Sequence, residues 1–185
     1  MAGAILAGLT LAGAGLAACG DESPTTERTT PASVPTAQRK DVARRAQALV
    51  AIAPQELGYE LRLEGARDEI RARADLDART ITLFLRQGDP IDRVAHDLAH
   101  EIGHAYDDRR MTEAGRRDYL ARRGVPDAPW LPGDEASDLD SGAGDFAEVF
   151  ALCSAASPEF RSRLAPRPEV PCEELPTDAR RVLTR

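Results

Sequence analysis

This chain of 185 residues contains few lysines and histidines, and its basic residues are seldom clustered. Lys and Arg number 24 against 31 Asp and Glu, which gives a formal net charge of −7, and Lys40 is the only lysine. The arginines form no patch of the kind that binds a nucleic-acid backbone. We therefore expect no nucleic-acid partner, and the acidic surface also disfavours other anionic partners.

Charged side chains are absent from Met1 to Gly20, a stretch rich in Ala, Gly and Leu. It ends in Leu-Ala-Ala-Cys at positions 16–19, a small-residue pattern typical of a cleaved secretory signal. This ending resembles a bacterial lipobox. The resemblance implies cleavage before Cys19, lipidation of Cys19, and an extracytoplasmic protein anchored to the bacterial membrane by acyl chains. A single transmembrane anchor is the alternative, although the apolar run is short for a membrane span.

Cysteines number three, so Cys153 and Cys172 remain if Cys19 is lipidated. Outside the cytoplasm an even pair favours a disulfide. A loop of about 20 residues closed in this way would stabilise the domain by about 3 kcal/mol in the chain-entropy model. Two buried free thiols are the alternative. Zinc ligation fits less well, because these cysteines do not form a C-x-x-C pair.

Composition and periodicity divide the chain into a signal peptide (1–18), a tether (19–35) and one domain (36–185). The tether is rich in Thr and Pro and has few apolar side chains to offset its ordering entropy, so we expect it to be disordered. In the domain, apolar spacing predicts a helix that begins at Thr36 and ends before Pro54. Alternating residues then predict strands at 58–64 and 79–86, whereas 68–73 is a short helix or a turn.

The longest predicted helix follows the Asp-Pro pair at 89–90, which suits an N-cap and a first helical position. It contains an H-E-x-x-H pattern formed by His100, Glu101 and His104. Residues four apart lie on one helical face, so the two imidazoles can hold one Zn²⁺. Glu101 can then act as general base toward water activated by the metal. The alternative is a pair of ordinary helix histidines.

His96 is the remaining histidine and lies one turn before His100. One turn of helix rises about 5.4 Å, so three successive turns cannot all direct a side chain at the same ion. We therefore expect His96 to line the site or to pack, and not to be the third ligand.

A second predicted helix at 142–153 carries Asp145 and Glu148 among apolar residues, and their i, i+3 spacing places them on one face. They could supply a third metal ligand and an acceptor for the other N–H of a ligand histidine. The alternative is a pair of exposed acids favoured by the helix dipole. The acidic segment before this helix, 133–141, is interpreted as a solvated loop, because its positions match no EF-hand spacing for calcium.

Two motifs together resemble those of gluzincin metallopeptidases: the H-E-I-G-H-A-Y-D sequence at 100–107 and the D-F-A-E-V-F sequence at 145–150. More narrowly, they resemble the catalytic domain of anthrax lethal factor and small bacterial relatives, in which H-E-x-G-H-A-x-D precedes E-x-F-A-E-x-F. The resemblance implies a zincin-like α+β fold. A small, mostly antiparallel sheet would pack on the H-E-x-x-H helix, with the carboxylate-bearing helix facing it.

Carried over residue by residue, the resemblance makes the two motif histidines metal ligands and the glutamate between them the general base. Glu148 matches the family's second glutamate, which usually contacts a ligand. The family's usual third ligand falls on Gly144, and this chain departs from the pattern there. Either Glu148 or Asp145 could replace that ligand, and Glu148 is slightly favoured because its longer side chain needs less backbone change.

The sequence thus predicts a membrane-tethered, extracytoplasmic metallopeptidase that hydrolyses a peptide or protein substrate with Zn²⁺ as cofactor. The strand at 80–85 would offer an edge to an extended peptide. The alternative is a non-catalytic lipoprotein of the same fold that binds metal or an envelope partner. Gly144 supports this alternative. So does the segment 133–144, which lacks the tyrosine or histidine that often stabilises the oxyanion in the family.

Overall fold

A computed structural model of the chain describes residues 31–134, 136–155 and 158–184. The predicted signal peptide, Cys19 and the tether up to residue 30 lie outside the described residues, so their roles stay predictions. Within the described ranges, no helix combines the length and apolarity that a membrane crossing requires.

Helices and strands alternate irregularly along the described chain, which confirms the α+β class. In chain order they are α1 (Thr36–Gln47), β1 (Glu60–Gly65), β2 (Ala72–Asp75), β3 (Thr80–Leu85), α2 (Ile91–Arg110), α3 (Glu113–Arg122), α4 (Gly142–Ala155), α5 (Pro171–Glu174) and α6 (Thr177–Leu183). Short 3-10 helices lie at Pro54–Leu57 and Asp138–Asp140.

The sheet of three strands has the order β1-β3-β2. Strand β1 runs parallel to β3, whereas β2 is antiparallel to it, so the sheet is mixed and not mostly antiparallel as expected. Strand β3 is central and buries Ile81, Leu83 and Leu85, each at most 2% exposed. It is therefore paired on both sides, and the edge strands of the sheet are β1 and β2 instead.

Strand β2 is an element that the sequence did not predict. Its residues, Ala-Arg-Ala-Asp, include no β-branched or aromatic side chain, so its local β propensity is low. The strand forms because it pairs with β3, with Arg73 opposite Thr82 and Ala74 opposite Ile81. Packing against α2 adds to this, since Ala72 and Ala74 contact the core.

Residues 33 and 34, which the sequence analysis assigned to the tether, pair with the end of β3. Ser33 forms a bridge with Arg86, and the Val34 N–H donates to the Leu85 carbonyl at 3.0 Å. Val34 is buried at 6% exposure. Burial of one apolar residue against β3 was enough to recruit this segment, although its composition resembles that of the tether.

Helices α2 and α4 pack closely and form the centre of the core. A Cβ added at Gly103 would lie 2.8 Å from the Cα of Ala147, so a larger residue would force the helices apart. Phe146, Val149 and Phe150 of α4 are fully buried against this contact. The close approach sets the H-E-x-x-H face of α2 directly beside the start of α4.

A disulfide joins Cys153 at the end of α4 to Cys172 in α5, with a sequence separation of 19. The pairing expected from the sequence is therefore confirmed. The bridge closes a loop that includes residues 158–167, which pack along the site described below.

Replacing both cysteines with serine should lower the free energy of unfolding by about 3 kcal/mol, because the denatured chain regains the entropy of the open loop. Denaturant unfolding of the purified protein, with and without a dithiol reductant, measures this. Reduced wild type should match the double variant. A double variant as stable as oxidised wild type would contradict the prediction.

Candidate metal centre

Two imidazole nitrogens converge on the side of α2 that faces the cleft described below. The Nε2 atoms of His100 and His104 lie 3.2 Å apart, because one helical turn separates the residues and their rings meet edge to face. A third group completes the cluster. The Oδ2 atom of Asp138 lies 3.3 Å from His100 Nε2 and 3.2 Å from His104 Nε2.

These three spacings fit a tetrahedral metal ion. Ligand atoms held about 2.0–2.1 Å from a tetrahedral Zn²⁺ are about 3.3 Å from one another. The three observed edges are 3.2, 3.3 and 3.2 Å. Two imidazoles and one carboxylate are also a donor set that suits zinc, and with three protein ligands a fourth position stays open.

Asp138 was missed by the sequence analysis, which interpreted its segment as a solvated acidic loop. It begins the 3-10 helix before α4, and its side chain is only 38% exposed. Its backbone is fixed by Ser141, whose hydroxyl donates to the Asp138 carbonyl at 2.8 Å. The distance in sequence from the H-E-x-x-H pattern does not predict this residue as a ligand, because it is positioned by a loop and not by a regular helix.

Gly144 explains how the loop reaches the histidines. A Cβ at this position would overlap the carbonyl oxygen of Asp138 and would lie 2.7 Å from its Oδ2 atom. The loop therefore occupies the space that a side chain at 144 would need. The missing side chain at 144 is thus compensated by Asp138, whose loop takes up the space that it leaves.

Glu148 lies behind His100 and away from the Nε2 cluster. Its Oε1 atom is 2.8 Å from His100 Nδ1 and 3.4 Å from His96 Nε2. The first contact is short but poorly aligned for a hydrogen bond. The backbone N–H of Arg161 donates to Oε2 at 2.6 Å. Glu148 thus orients a candidate ligand from its other ring nitrogen, as acceptors behind metal-bound histidines do.

Asp145 is engaged elsewhere, so its geometry does not support the ligand role that we considered. It is fully buried and accepts hydrogen bonds from Tyr119 at 2.7 Å, from Arg123 at 2.7 and 3.2 Å, and from Ser162 at 2.5 Å. These partners anchor α3 and the segment after α4. Of the two carboxylates on α4, neither reaches the paired Nε2 atoms in the way that Asp138 does.

His96 packs in the core, in agreement with the sequence analysis. It is fully buried, and its Nδ1 atom has no hydrogen-bond partner among the described residues. Its Nε2 atom approaches Glu148 and not the cluster.

The carboxylates around the histidines create a strong preference for positive charge. Burial lowers the pKa of His100, but contacts with Asp138 and Glu148 outweigh it and raise the pKa to about 10. Burial would raise the pKa of Asp138, yet hydrogen bonds from both histidines hold it well below its usual value. The same arrangement that favours a proton here favours a metal cation at the same nitrogens.

Glu101 points into a cleft beside the cluster. Its Oε2 atom accepts a hydrogen bond from the backbone N–H of Ala74 on β2, at 2.7 Å. Because backbone groups of Arg73 face β3, those of Ala72 and Ala74 face the open edge of the sheet. The general-base candidate is therefore held next to the edge strand.

The cleft has a volume of about 630 Å³ and runs between β2 and the loops before α4. Its walls include His100, Glu101, His104 and Asp138. Leu76 and Leu131, which are 41% and 67% exposed, also line it. Of the described residues, no tyrosine lines the cleft. Tyr59 donates to Asp108, Tyr119 to Asp145, and Tyr106 is buried beside Phe150.

Comparison with known proteins adds no identification: no family model matches the chain, and no curated protein or solved structure matches it either. The functional argument therefore rests on the geometry of this chain.

Replacing Gly144 with alanine should expel Asp138 from the cluster, because the new Cβ would collide with the loop backbone. We expect Zn²⁺ affinity to fall by more than about 10-fold. Gly133→Ala is the matched control, since nothing lies within 4 Å of a Cβ there. Isothermal titration with Zn²⁺ measures both. Equal affinities for the two variants would refute the compensation between Gly144 and Asp138.

Proposed function

We propose that this protein is a zinc-dependent metallopeptidase that hydrolyses peptide bonds. The observation that carries the proposal is the convergence of His100, His104 and Asp138 at tetrahedral spacing beside Glu101. An isolated pair of helix histidines would need no third group at 3.2–3.3 Å from both Nε2 atoms. The open cleft and the edge strand add a place for substrate.

Each residue of the site has a separate role in hydrolysis. His100, His104 and Asp138 would hold Zn²⁺, which supplies an activated water and polarises the scissile carbonyl. Glu101 takes the proton of the attacking water and passes it to the leaving amine as the C–N bond breaks. Glu148 keeps His100 in its orientation from the opposite ring nitrogen.

Strand β2 is suited to hold an extended peptide. Its outer edge offers the backbone groups of Ala72 and the carbonyl of Ala74, which β3 does not use, whereas the Ala74 N–H is bonded to Glu101. A substrate strand can pair with such an edge through main-chain hydrogen bonds, with side chains placed alternately in pockets. This assigns to β2 the role that the sequence had suggested for β3. The exposed leucines at 76 and 131 provide apolar surface at the rim of the same cleft.

We further propose that the enzyme works outside the cytoplasm and is tethered to the bacterial membrane through a lipid at Cys19. The lipobox-like sequence at 16–19 supports this. The disulfide between Cys153 and Cys172 is in keeping with an oxidising compartment. A protein or peptide in the cell envelope would then be the substrate.

A non-catalytic metal-binding lipoprotein is the second candidate. Two observations favour it: the described cleft is lined by no tyrosine, and Glu101 is already bonded to the backbone of Ala74. In that case the metal site would bind Zn²⁺ without turnover, and the edge strand would hold an envelope partner.

Purified protein should bind one Zn²⁺, and Asp138→Asn should weaken binding by more than about 100-fold, because a direct ligand matters more than a neighbour of one. Asp134→Asn is the matched control: Asp134 lies in the same acidic segment but is exposed and is not part of the cluster. Metal analysis after equilibrium dialysis reads out both variants. Loss of zinc from both, or from neither, would remove Asp138 from the ligand set.

Glu101→Gln should retain zinc and lose hydrolysis by a factor of about 10² to 10⁴, the usual contribution of a general base. Cleavage of a fluorogenic peptide library, scored against metal content, provides the measurement. Wild-type protein that carries zinc but cleaves no peptide would favour the non-catalytic candidate.

A further inference from the structure

Arg161 is a cleft residue that the roles above leave unassigned. Its Nε atom donates to Glu148 at 3.2 Å and its Nη1 atom donates to Asp97 at 3.0 Å. Both acceptors are buried, at 0% and 5% exposure. The guanidinium is therefore anchored from behind by two carboxylates and has little freedom to turn.

The remaining nitrogen of Arg161 faces the cleft. Its Nη2 atom donates no hydrogen bond to a described residue. Nor is it one of the fully buried side-chain atoms that lack a partner in the described chain. The side chain is 30% exposed and forms part of the cleft wall. Since Nε and Nη1 are bonded to buried acceptors, Nη2 is the guanidinium nitrogen left to reach the cleft.

Arg161 is linked to one candidate metal ligand, His100, through Glu148. The Glu148 Oε1 atom lies 3.2 Å from Arg161 Nε and 2.8 Å from His100 Nδ1, so one oxygen bridges the guanidinium and the ligand ring. Burial lowers the pKa of Arg161, but Glu148 and Asp97 outweigh it and raise the pKa above the ordinary value. The group carries a full positive charge throughout the range in which proteins function.

The other arginines of the cleft are not equivalent. Arg71 donates from Nε to Asp97 and from both terminal nitrogens to Asp89, so each of its nitrogens is already bonded within the protein. Arg73 is exposed on β2, and its side chain leaves the face that Ala72 and Ala74 turn to the core. Among the described residues, Arg161 alone combines an anchored guanidinium with a nitrogen open to the cleft.

We propose that Arg161 donates a hydrogen bond from Nη2 to the scissile carbonyl oxygen and stabilises the negative charge that develops there. This inference rests on the proposed peptidase function and names the donor that the missing tyrosine would have supplied. Water oxygen bonds to the carbonyl carbon, the π electrons move to the carbonyl oxygen, and Glu101 takes the water proton. When the C–N bond breaks, the electrons return and Glu101 protonates the amine.

The test compares Arg161→Gln with Arg93→Gln, a change that removes an ion pair between α2 and Glu159 of the same segment but no residue of the cleft wall. Arg161→Gln should lower kcat for a cleaved peptide by about 10² to 10³ with KM changed less than about threefold. Arg93→Gln should stay within about threefold of wild type in kcat. Bound zinc and the melting temperature are measured for each variant, so that misfolding is recognised.

A binding measurement separates this role from a structural one. A phosphinic peptide carries a tetrahedral anion at the scissile position, and its affinity for the zinc-loaded Arg161→Gln protein should fall by about 10² or more. The uncut parent peptide, bound to the Glu101→Gln protein with and without Arg161→Gln, should keep its affinity. Arg161→Ala protein should regain activity with added methylguanidinium.

Each opposite result overturns the proposal. Equal losses for both ligands would make Arg161 a general substrate contact, and equal losses in the Arg93 and Arg161 variants would make the ion pairs between α2 and this segment responsible. Full activity of Arg161→Gln would leave the peptidase function standing without this residue. A wild type that binds zinc but neither cleaves peptides nor binds the phosphinic peptide would overturn the function and the role of Arg161 together.

Discussion

A single buried carboxylate, that of Glu148, holds the candidate site together. It has no exposed surface, and an unpaired charge in such a place would be strongly destabilising. Its neighbours are the His100 and His96 rings of α2 and the backbone and guanidinium of Arg161. The two carboxylate oxygens of Glu148 thus connect α2, α4 and the segment beyond α4. Glu148 approaches His100 at Nδ1, the ring nitrogen opposite the cluster.

The candidate ligand set is built from two kinds of structure. His100 and His104 come from a rigid helix, whereas Asp138 comes from a loop that must be held in place. Gly144 makes room for that loop, and Arg163 fixes it from outside, with its N–H on the Leu139 carbonyl and its guanidinium on Asp140. Positioning by the loop therefore depends on the segment after α4.

That segment is short, and its consecutive residues make several contacts. Arg161, Ser162 and Arg163 each bind a different acid of the site, Glu148, Asp145 and Asp140 in turn. The disulfide between Cys153 and Cys172 closes the loop that contains all three residues. The segment has no regular secondary structure and is held in place by ion pairs and the disulfide. These contacts offset the conformational entropy that its backbone loses on ordering.

The sequence by itself determined the parts that follow from local periodicity. The helix with His100, Glu101 and His104, the central strand β3, the carboxylate helix α4 and the cysteine pair all follow from spacing and capping, and each is present. Their physical basis is short-range: residues four apart share a helical face, and alternating residues share a strand face.

Tertiary structure alone decided the rest. Strand β2 has little β propensity and exists through its pairing with β3, so β3 lacks the free edge that the sequence suggested for it. Asp138 reaches the histidines across 34 and 38 residues of chain, and its loop has no periodic signature. Asp145 and Glu148 share a helical face, yet Arg123 draws one carboxylate away while His100 and Arg161 hold the other. Spacing places side chains on one face of an element, but only packing between elements brings them to a common point.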